Sequence, residues 1–459
     1  MISAAYARRG RPARYALAVL VTALLVAVIT ATSILNYFFL DKVAGRTSLY
    51  GLVTVALIGA ASWIGVRAFD RDQALRRKHL IRAGVLLGLG ILFWLLLIDV
   101  FVFTQEAGPG VALYCALACV PTTAFGLFVV RRLDRNEKEP WRLVLVATAW
   151  GAIVATSLVI WAEGLWDAIA VSTLVPGPGL DASNAFSAGI LEELAKGTAV
   201  LLLFLVMRDE FDDVVDGIVY GAAVGLGFNF MESIAYMTNL YALFAPDGAG
   251  AAGAQWYFRQ VLGLFFGHAA YTALIGAGFG IARQLPGALP KGLAIGSGWL
   301  IAIAAHFSWD AWLTFFPIPD DVIGILVGVH LRTLLMTGPF VLAVALLLVV
   351  GLAVEGAALR RHLQAEAETG LGAVLPEEVG ELASPWRRFL ARERAAERAG
   401  LGAYFRLARL QAAQLDLAME RWHRERKEIE APLQAEDELR RGVLELKAQV
   451  EPRPLPTNR

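Results

Sequence analysis

Long apolar runs, separated by short clusters of arginine, glycine and proline, make up most of the chain as far as about Leu359. Each run has roughly 18–25 residues, enough for one helical crossing of a hydrocarbon core about 30 Å thick and too long for a tilted barrel strand. The pattern predicts an all-α, polytopic transmembrane bundle of about ten spans. They fall near residues 15–40, 48–66, 81–103, 110–130, 143–165, 184–207, 214–240, 258–282, 291–315 and 326–354. Beyond this transmembrane domain, 1–358, the chain turns to Ala, Glu, Arg and Leu, with Trp386, Phe389, Tyr404, Phe405 and Leu410 at helical intervals. Residues 359–459 therefore read as a cytosolic amphipathic helical tail, interrupted at Pro432 before a second helix from Ala435 to Val450 and ending in a frayed segment.

Composition agrees with the pattern, since 57% of residues are hydrophobic and only 18% charged. The net charge of zero hides an asymmetry in position. Arg67, Arg71 and Lys78 crowd one loop and Arg131, Arg132 and Lys138 another, joining the arginines ahead of Tyr15, while alternate loops are nearly bare. The positive-inside rule then places both termini in the cytoplasm. The apolar run from Tyr15 to Leu40 is too long for a signal core and reads as an uncleaved first span. Richness in Ala, Gly and Arg suits a bacterial source, and hence a multi-pass protein of the bacterial plasma membrane. Cys115 and Cys119, four apart in an apolar segment, read as packing residues. The tail reads first as a solvated helical hairpin, because acids are interspersed throughout it, and it offers a surface to a cytosolic partner. The sharper alternative lays it on anionic lipid through Trp386, Phe389, Arg387, Arg388 and Arg392. No internal repeat and no nucleic-acid motif is evident.

Candidate chemistry lies where charge interrupts the apolar runs. Glu192, Glu193 and Lys196 sit within one span, Asn229 and Glu232 in the next, His268 in the third and His306 with Asp310 in the fourth. Ionisable groups at such depth are costly and need partners or a purpose. At 1.5 Å per residue, Glu192, Glu193, Glu232, His268 and His306 all fall roughly 12–15 Å below the outer surface. Lys196 is four residues from Glu192 and three from Glu193, so its ammonium can reach either carboxylate. Asn229 and Glu232 share a face, as do His306 and Asp310, and Asp310 can orient the imidazole. Gly217, Gly221 and Gly225 form a ridge for close helix packing. Carboxylates and imidazoles from separate helices can hold a metal and activate water, with His268, His306 and Glu232 as ligands, although no HExxH motif is present. Each residue also has a plainer reading, as structural ion pair or hydrogen-bonded membrane histidine.

Other polar residues receive no chemistry. Asp99 and Glu163 approach span ends and reach water, and His330 and Arg332 read as interfacial groups. His79, His362 and His423 lie among charged residues and read as solvated. GAGFG at 276–280 has no preceding strand and reads as helix packing.

EPW at 139–141, EELAK at 192–196, DGIVYG at 216–221, GLGFNFMES at 225–233 and GHAAY at 267–271 together resemble the PrsW family of intramembrane proteases, distantly similar to the CAAX prenyl endopeptidase and Abi proteins. The likeness covers roughly 131–315, a peptidase-like core, and leaves out the tail. It implies a membrane-embedded peptidase whose functional core is Glu192, Glu193 and His268, with Glu232 and His306 as further members. Ser233 stands where the family usually has Asn, and Asp310 where the wider group often has Asn; an ionised Asp cannot donate to an oxyanion, which favours a ligand-orienting role.

The expected activity is hydrolysis of a membrane-anchored protein or peptide by activated water. Glu192 is the general base, Glu193 with Lys196 gives electrostatic support, and His268 and His306 bind a metal, zinc by ligand type, or polarise the carbonyl. Two other classes use the same sequence: a proton- or cation-coupled transporter or channel, and a non-enzymatic membrane scaffold that recruits a partner through its tail.

Overall fold

The structure is a computed structural model and describes residues 107–173, 177–207, 210–315, 321–425 and 433–450. The first three expected spans, Asp99 and His79 lie outside the described residues, as do Pro432, the terminal segment and the side chain of His423. Among the described residues every regular element is helical.

Helix α1 (Pro109–Leu133) is followed by α2 (Trp141–Ala149), which a π-helical turn (Trp150–Ala155) joins to α3 (Thr156–Thr173). Then come α4 (Pro178–Val206), α5 (Val214–Leu243) and α6 (Gly248–Trp256), the last continued by a π-helical turn (Tyr257–Leu262). Next are α7 (His268–Gln284), α8 (Ala288–Phe315) and α9 (Val322–Arg332), which a third π-helical turn links to α10 (Gly338–Glu368). Among the described residues five stretches are long and apolar enough to cross a membrane: Pro109–Leu133, Trp141–Val171, Val214–Leu243, Ala288–Trp312 and Ile323–Glu368. A multi-pass membrane protein follows from them.

Helix α5 is the axis of the bundle, with 94% of its most apolar window buried by its neighbours. Its glycines explain how it can be so enclosed. A methyl group on Gly217, Gly221 or Gly225 would overlap the backbone carbonyls of Gly276, Thr272 and His268 in α7, and one on Gly227 would overlap Thr148 in α2. Small residues thus let the backbones touch where no hydrophobic driving force separates helix from lipid.

The expected span at 258–282 is not one helix. The π-helical turn ends at Gly263, Gly267 caps the next helix, and α7 begins at His268. His268 is therefore the first residue of a helix rather than ten residues into one, and the depth arithmetic does not apply to it. At Gly263 the turn closes tightly, since a methyl group there would lie 2.8 Å from the carbonyl oxygen of Phe258.

Helix α10 runs unbroken past the change in composition at 358. Its distal half packs Leu359 and Leu363 against Leu382, Leu415, Met419 and Trp422 from α11 (Pro376–Leu382) and α13 (Leu401–Glu425). Helix α14 (Leu433–Val450) places Val443 beside Leu410 and Leu417 of α13. Glu366 is buried and accepts from Arg440 at 2.7 and 3.1 Å, with Arg421 2.8 Å away. His362 is buried as well, against the expectation of a solvated side chain, because α10 continues into the tail core. In α12 (Pro385–Ala399), Trp386 and Phe389 stack at 5.6 Å and stay exposed, but Arg388 turns inward to the carbonyl of Arg135 and Oδ1 of Asn136, both at 2.9 Å. It therefore does not serve a lipid-facing surface.

Candidate functional site

Four helices meet around the α4 motif. Lys196 Nζ lies 2.6 Å from Glu193 Oε1 and 3.1 Å from Glu192 Oε2, the i+3 and i+4 geometry that helical spacing dictates. All three side chains are buried, and Glu193 and Lys196 are wholly enclosed. The indole of Trp299 in α8 donates to the backbone carbonyl of Glu193 at 3.0 Å, which holds α4 against α8.

From α7, His268 meets this group through Nδ1, 2.9 Å from Lys196 Nζ and 3.7 Å from Glu192 Oε2. Its Nε2 lies 2.5 Å from Oε2 of Glu232 in α5. From α8, His306 places Nδ1 3.0 Å from Glu193 Oε1. Its Nε2 faces Glu192 Oε2 at 3.7 Å and Asp310 Oδ2 at 3.4 Å. The imidazoles lie 5.1 Å apart, centroid to centroid, with Tyr271 stacked on His306 at 5.3 Å and Phe228 against His268 at 5.0 Å.

The structure thus brings Glu192, Glu193, Lys196, Glu232, His268, His306 and Asp310 into one cluster. Asn229 is not part of it: its side chain donates to the backbone carbonyl of Arg259 at 3.2 Å and so ties α5 to the π-helical turn. Ser233 donates to the Asn229 carbonyl at 2.5 Å and accepts from Gln260 at 2.9 Å, also facing that turn.

Several participants escape a reading of the sequence. Arg259 pairs with Glu232 at 2.8 Å and lies over the Tyr236 ring at 3.7 Å. An arginine at the edge of an apolar run was the available signal. Glu163 lies within electrostatic reach of Glu192 and Glu232, rather than simply at a wetted span end. Arg332 is buried, stacks over Trp309 at 3.9 Å and donates to the Trp309 carbonyl, so the interfacial reading of it is corrected.

Charge and geometry define what the cluster can do. Glu193 is committed, with Lys196 and His306 on one oxygen and Thr272 3.5 Å from the other. Glu192 is freer: its Oε2 looks toward both imidazoles across gaps too long for hydrogen bonds. Glu192, His268 and His306 each present one ligand atom within 4.8 Å of the others. Two imidazoles and a carboxylate are the donor set of hydrolytic zinc sites, and a carboxylate such as Glu193 on the far nitrogen of a ligating histidine is their usual support. In kind and convergence the residues fit a metal ion. The close triad includes Glu192 in place of Glu232, which instead bonds His268 and pairs with Arg259.

Comparison with known proteins relates the chain to membrane proteases. Residues 139–367 match the model of the PrsW family of intramembrane metalloproteases, a stretch that contains every residue of the cluster. The chain is 32% identical over 146 residues to "Protease PrsW" of Geobacillus kaustophilus (strain HTA426). That alignment covers 30% of this chain and 59% of the relative, so the chain spans about three fifths of the length of the curated relative it matches. No solved structure matches the chain.

Proposed function

We propose that this protein is an intramembrane endopeptidase that cleaves a membrane-anchored protein or peptide with water activated by Glu192. The observation that carries the reading is the position of Glu192 Oε2, 3.7 Å from His268 Nδ1 and 3.7 Å from His306 Nε2. Neither separation is a hydrogen bond, so Glu192 Oε2 keeps acceptor capacity for a water beside the two imidazoles. In the proposed step the water oxygen bonds to the peptide carbonyl carbon while its proton passes to Glu192. Glu192 then returns that proton to the departing amide nitrogen as the C–N bond breaks. His306, held by Glu193 at Nδ1, presents Nε2 to the reacting carbonyl, and Lys196 offsets the negative charge. Glu232 and Asp310 are positioning residues that orient His268 and His306.

His268, once Lys196 yields its Nδ1, and His306 would hold a metal ion, zinc by donor type, with Glu192 beside it as the base. Bound there, it supplies Lewis-acid chemistry, acidifying water and polarising a carbonyl. The same reading includes about ten spans with both termini in the cytoplasm, a bacterial plasma membrane location, division near 358 and a tail that serves a cytosolic partner. It also includes distant kinship with the CAAX prenyl endopeptidases, supported by the HFSWD segment at 306–310.

Purified protein in proteoliposomes, given a single-span substrate, tests the proposal. Cleavage by the wild type that falls by about 10²-fold or more in Glu192→Gln supports it; proton-coupled flux without cleavage supports a transporter instead. Metal content of the active protein, compared with His268→Ala and His306→Ala, tests the ion: full activity in metal-free protein removes its role.

A further inference from the structure

A second group of acids lies at the opposite end of α5. Asp216 is in its first turn, sixteen residues before Glu232 and therefore about 24 Å along the helix from the cluster described above. Asp134 follows α1, and Glu139 precedes α2. All three are more than nine-tenths buried, and each presents a carboxylate oxygen within 4.8 Å of the others.

The hydrogen bonds around this group look like those of oriented ligands. Asp134 Oδ1 accepts the N–H groups of Asn136 and Glu137, both at 3.0 Å, while its buried Oδ2 has no partner. Asp216 Oδ2 accepts the N–H groups of Asp212 and Asp213 at 2.9 and 3.0 Å. Glu139 Oε2 accepts from the Tyr220 hydroxyl. Backbone donors fix the Asp134 and Asp216 carboxylates and a hydroxyl fixes Glu139, as second partners do for carboxylates that bind ions.

An independent observation comes from α10. Gly351 packs on Val214 and Val215, which brings Glu355, one turn further on, within electrostatic reach of Asp134, Asp213 and Asp216. Glu355 is buried, and neither of its carboxylate oxygens has a hydrogen-bond partner. Protein groups therefore satisfy it neither as a carboxylate nor as a carboxylic acid, and a buried unpaired polar atom carries the full cost of its desolvation. Arg388 is near but gives three of its five N–H groups to the carbonyls of Leu382 and Arg135 and to Asn136, and none of them bonds Glu355.

We propose that Asp134, Glu139 and Asp216, backed by Glu355, bind a hard divalent cation of the magnesium or calcium class, separate from the peptidase site. An all-oxygen set without histidine or cysteine selects such ions over zinc. A calcium ion with ligands at about 2.3–2.6 Å spans oxygens up to about 5 Å apart, which matches the convergence. A cavity of about 530 Å³ between the 132–139 loop and the tail gives the ion a path, since Asp134, Glu139 and Asp216 line it together with Arg388 and Arg392. The site joins α1, α2, α5 and α10 at the end where the tail docks, so its occupant clamps the tail-side end of the bundle.

The test uses full-length protein carrying His268→Ala and His306→Ala, so that the peptidase cluster cannot contribute imidazole ligands. After chelator treatment, it is titrated with magnesium, calcium and manganese chlorides, with bound metal counted after equilibrium dialysis. Terbium luminescence excited through tyrosine provides a second readout, because Tyr220 bonds Glu139. The proposal expects one saturable cation per chain, terbium emission that calcium displaces, and affinity weakened by roughly 10- to 100-fold in Glu355→Gln and Asp134→Asn. Absence of stoichiometric binding by all three metals overturns it, and so does unchanged affinity in Glu355→Gln, which keeps the three converging carboxylates and tests the site even where Asp134→Asn does not fold.

Discussion

Lys196 Nζ lies 2.9 Å from His268 Nδ1, a contact that fixes the state of the imidazole. An ammonium has only donors, so Nδ1 accepts and the ring proton sits on Nε2, which lies 2.5 Å from Glu232 Oε2. A lysine from one helix and a glutamate from another thus set the tautomer of a histidine on a third.

Removing the ammonium should be costly. Lys196→Met leaves Glu193 enclosed without its counter-charge, and breaking one partner of a buried pair typically destabilises by about 3–5 kcal/mol. Adding Glu193→Gln should recover part of the loss. Denaturant unfolding of the purified single and double variants checks both expectations.

The two glutamates that face His268 should fail differently. Glu192→Gln should lower kcat by about 10²–10⁴, the range for loss of a general base. Glu232→Gln, which acts through the orientation of His268, should cost roughly 10–100-fold. Steady-state cleavage of one substrate by both variants separates the roles, with near-equal losses counting against the assignment.

Close approach of α5 to α7 carries a prediction of its own. Gly225→Ala would drive its methyl into the backbone carbonyl of His268, and overpacking of this kind costs about 1–3 kcal/mol. Activity should fall with stability, because the displaced backbone is that of a site residue. Gly356→Ala, which meets nothing within 4 Å, should leave both intact. Thermal unfolding alongside cleavage assays compares them.

The tail core depends on Glu366 in a similar way. Glu366→Ala would leave Arg440 and Arg421 facing a buried gap, with an expected loss of about 3–5 kcal/mol in tail docking. Limited proteolysis should then cut within 401–450 much sooner, while substrate cleavage persists, since no tail residue touches Glu192, His268 or His306 among the described residues.

Much of this arrangement was readable in the sequence because membrane insertion makes every polar residue conspicuous. Glu192, Glu193, Lys196, Glu232, His268 and His306 stand out against apolar surroundings, and helical spacing alone put Lys196 within reach of both carboxylates. The less legible features depend on tertiary geometry. The break at Gly263–Gly267 hides inside an apolar run, because two glycines within five residues are equally common in packed membrane helices. Arg259 stands at the edge of an apolar run with nothing in the sequence to mark its partner, and the π-helical turn carries it to Glu232. Asp134 and Glu139 share one loop but are far in sequence from Asp216, and only the packing of that loop on the start of α5 makes the three neighbours. Burial of Arg332 and His362 likewise follows from helices that fold back or continue, which local composition does not encode.

The most direct measurement incubates wild-type and Glu192→Gln protein, purified in parallel, with single-span substrates in ¹⁸O-labelled water and analyses the products by mass spectrometry. The account predicts a single cut within or beside the substrate's span, one ¹⁸O atom in the new carboxyl terminus, and product from the Glu192→Gln protein lower by about 10²-fold or more. Wild-type amounts of product from Glu192→Gln would contradict it.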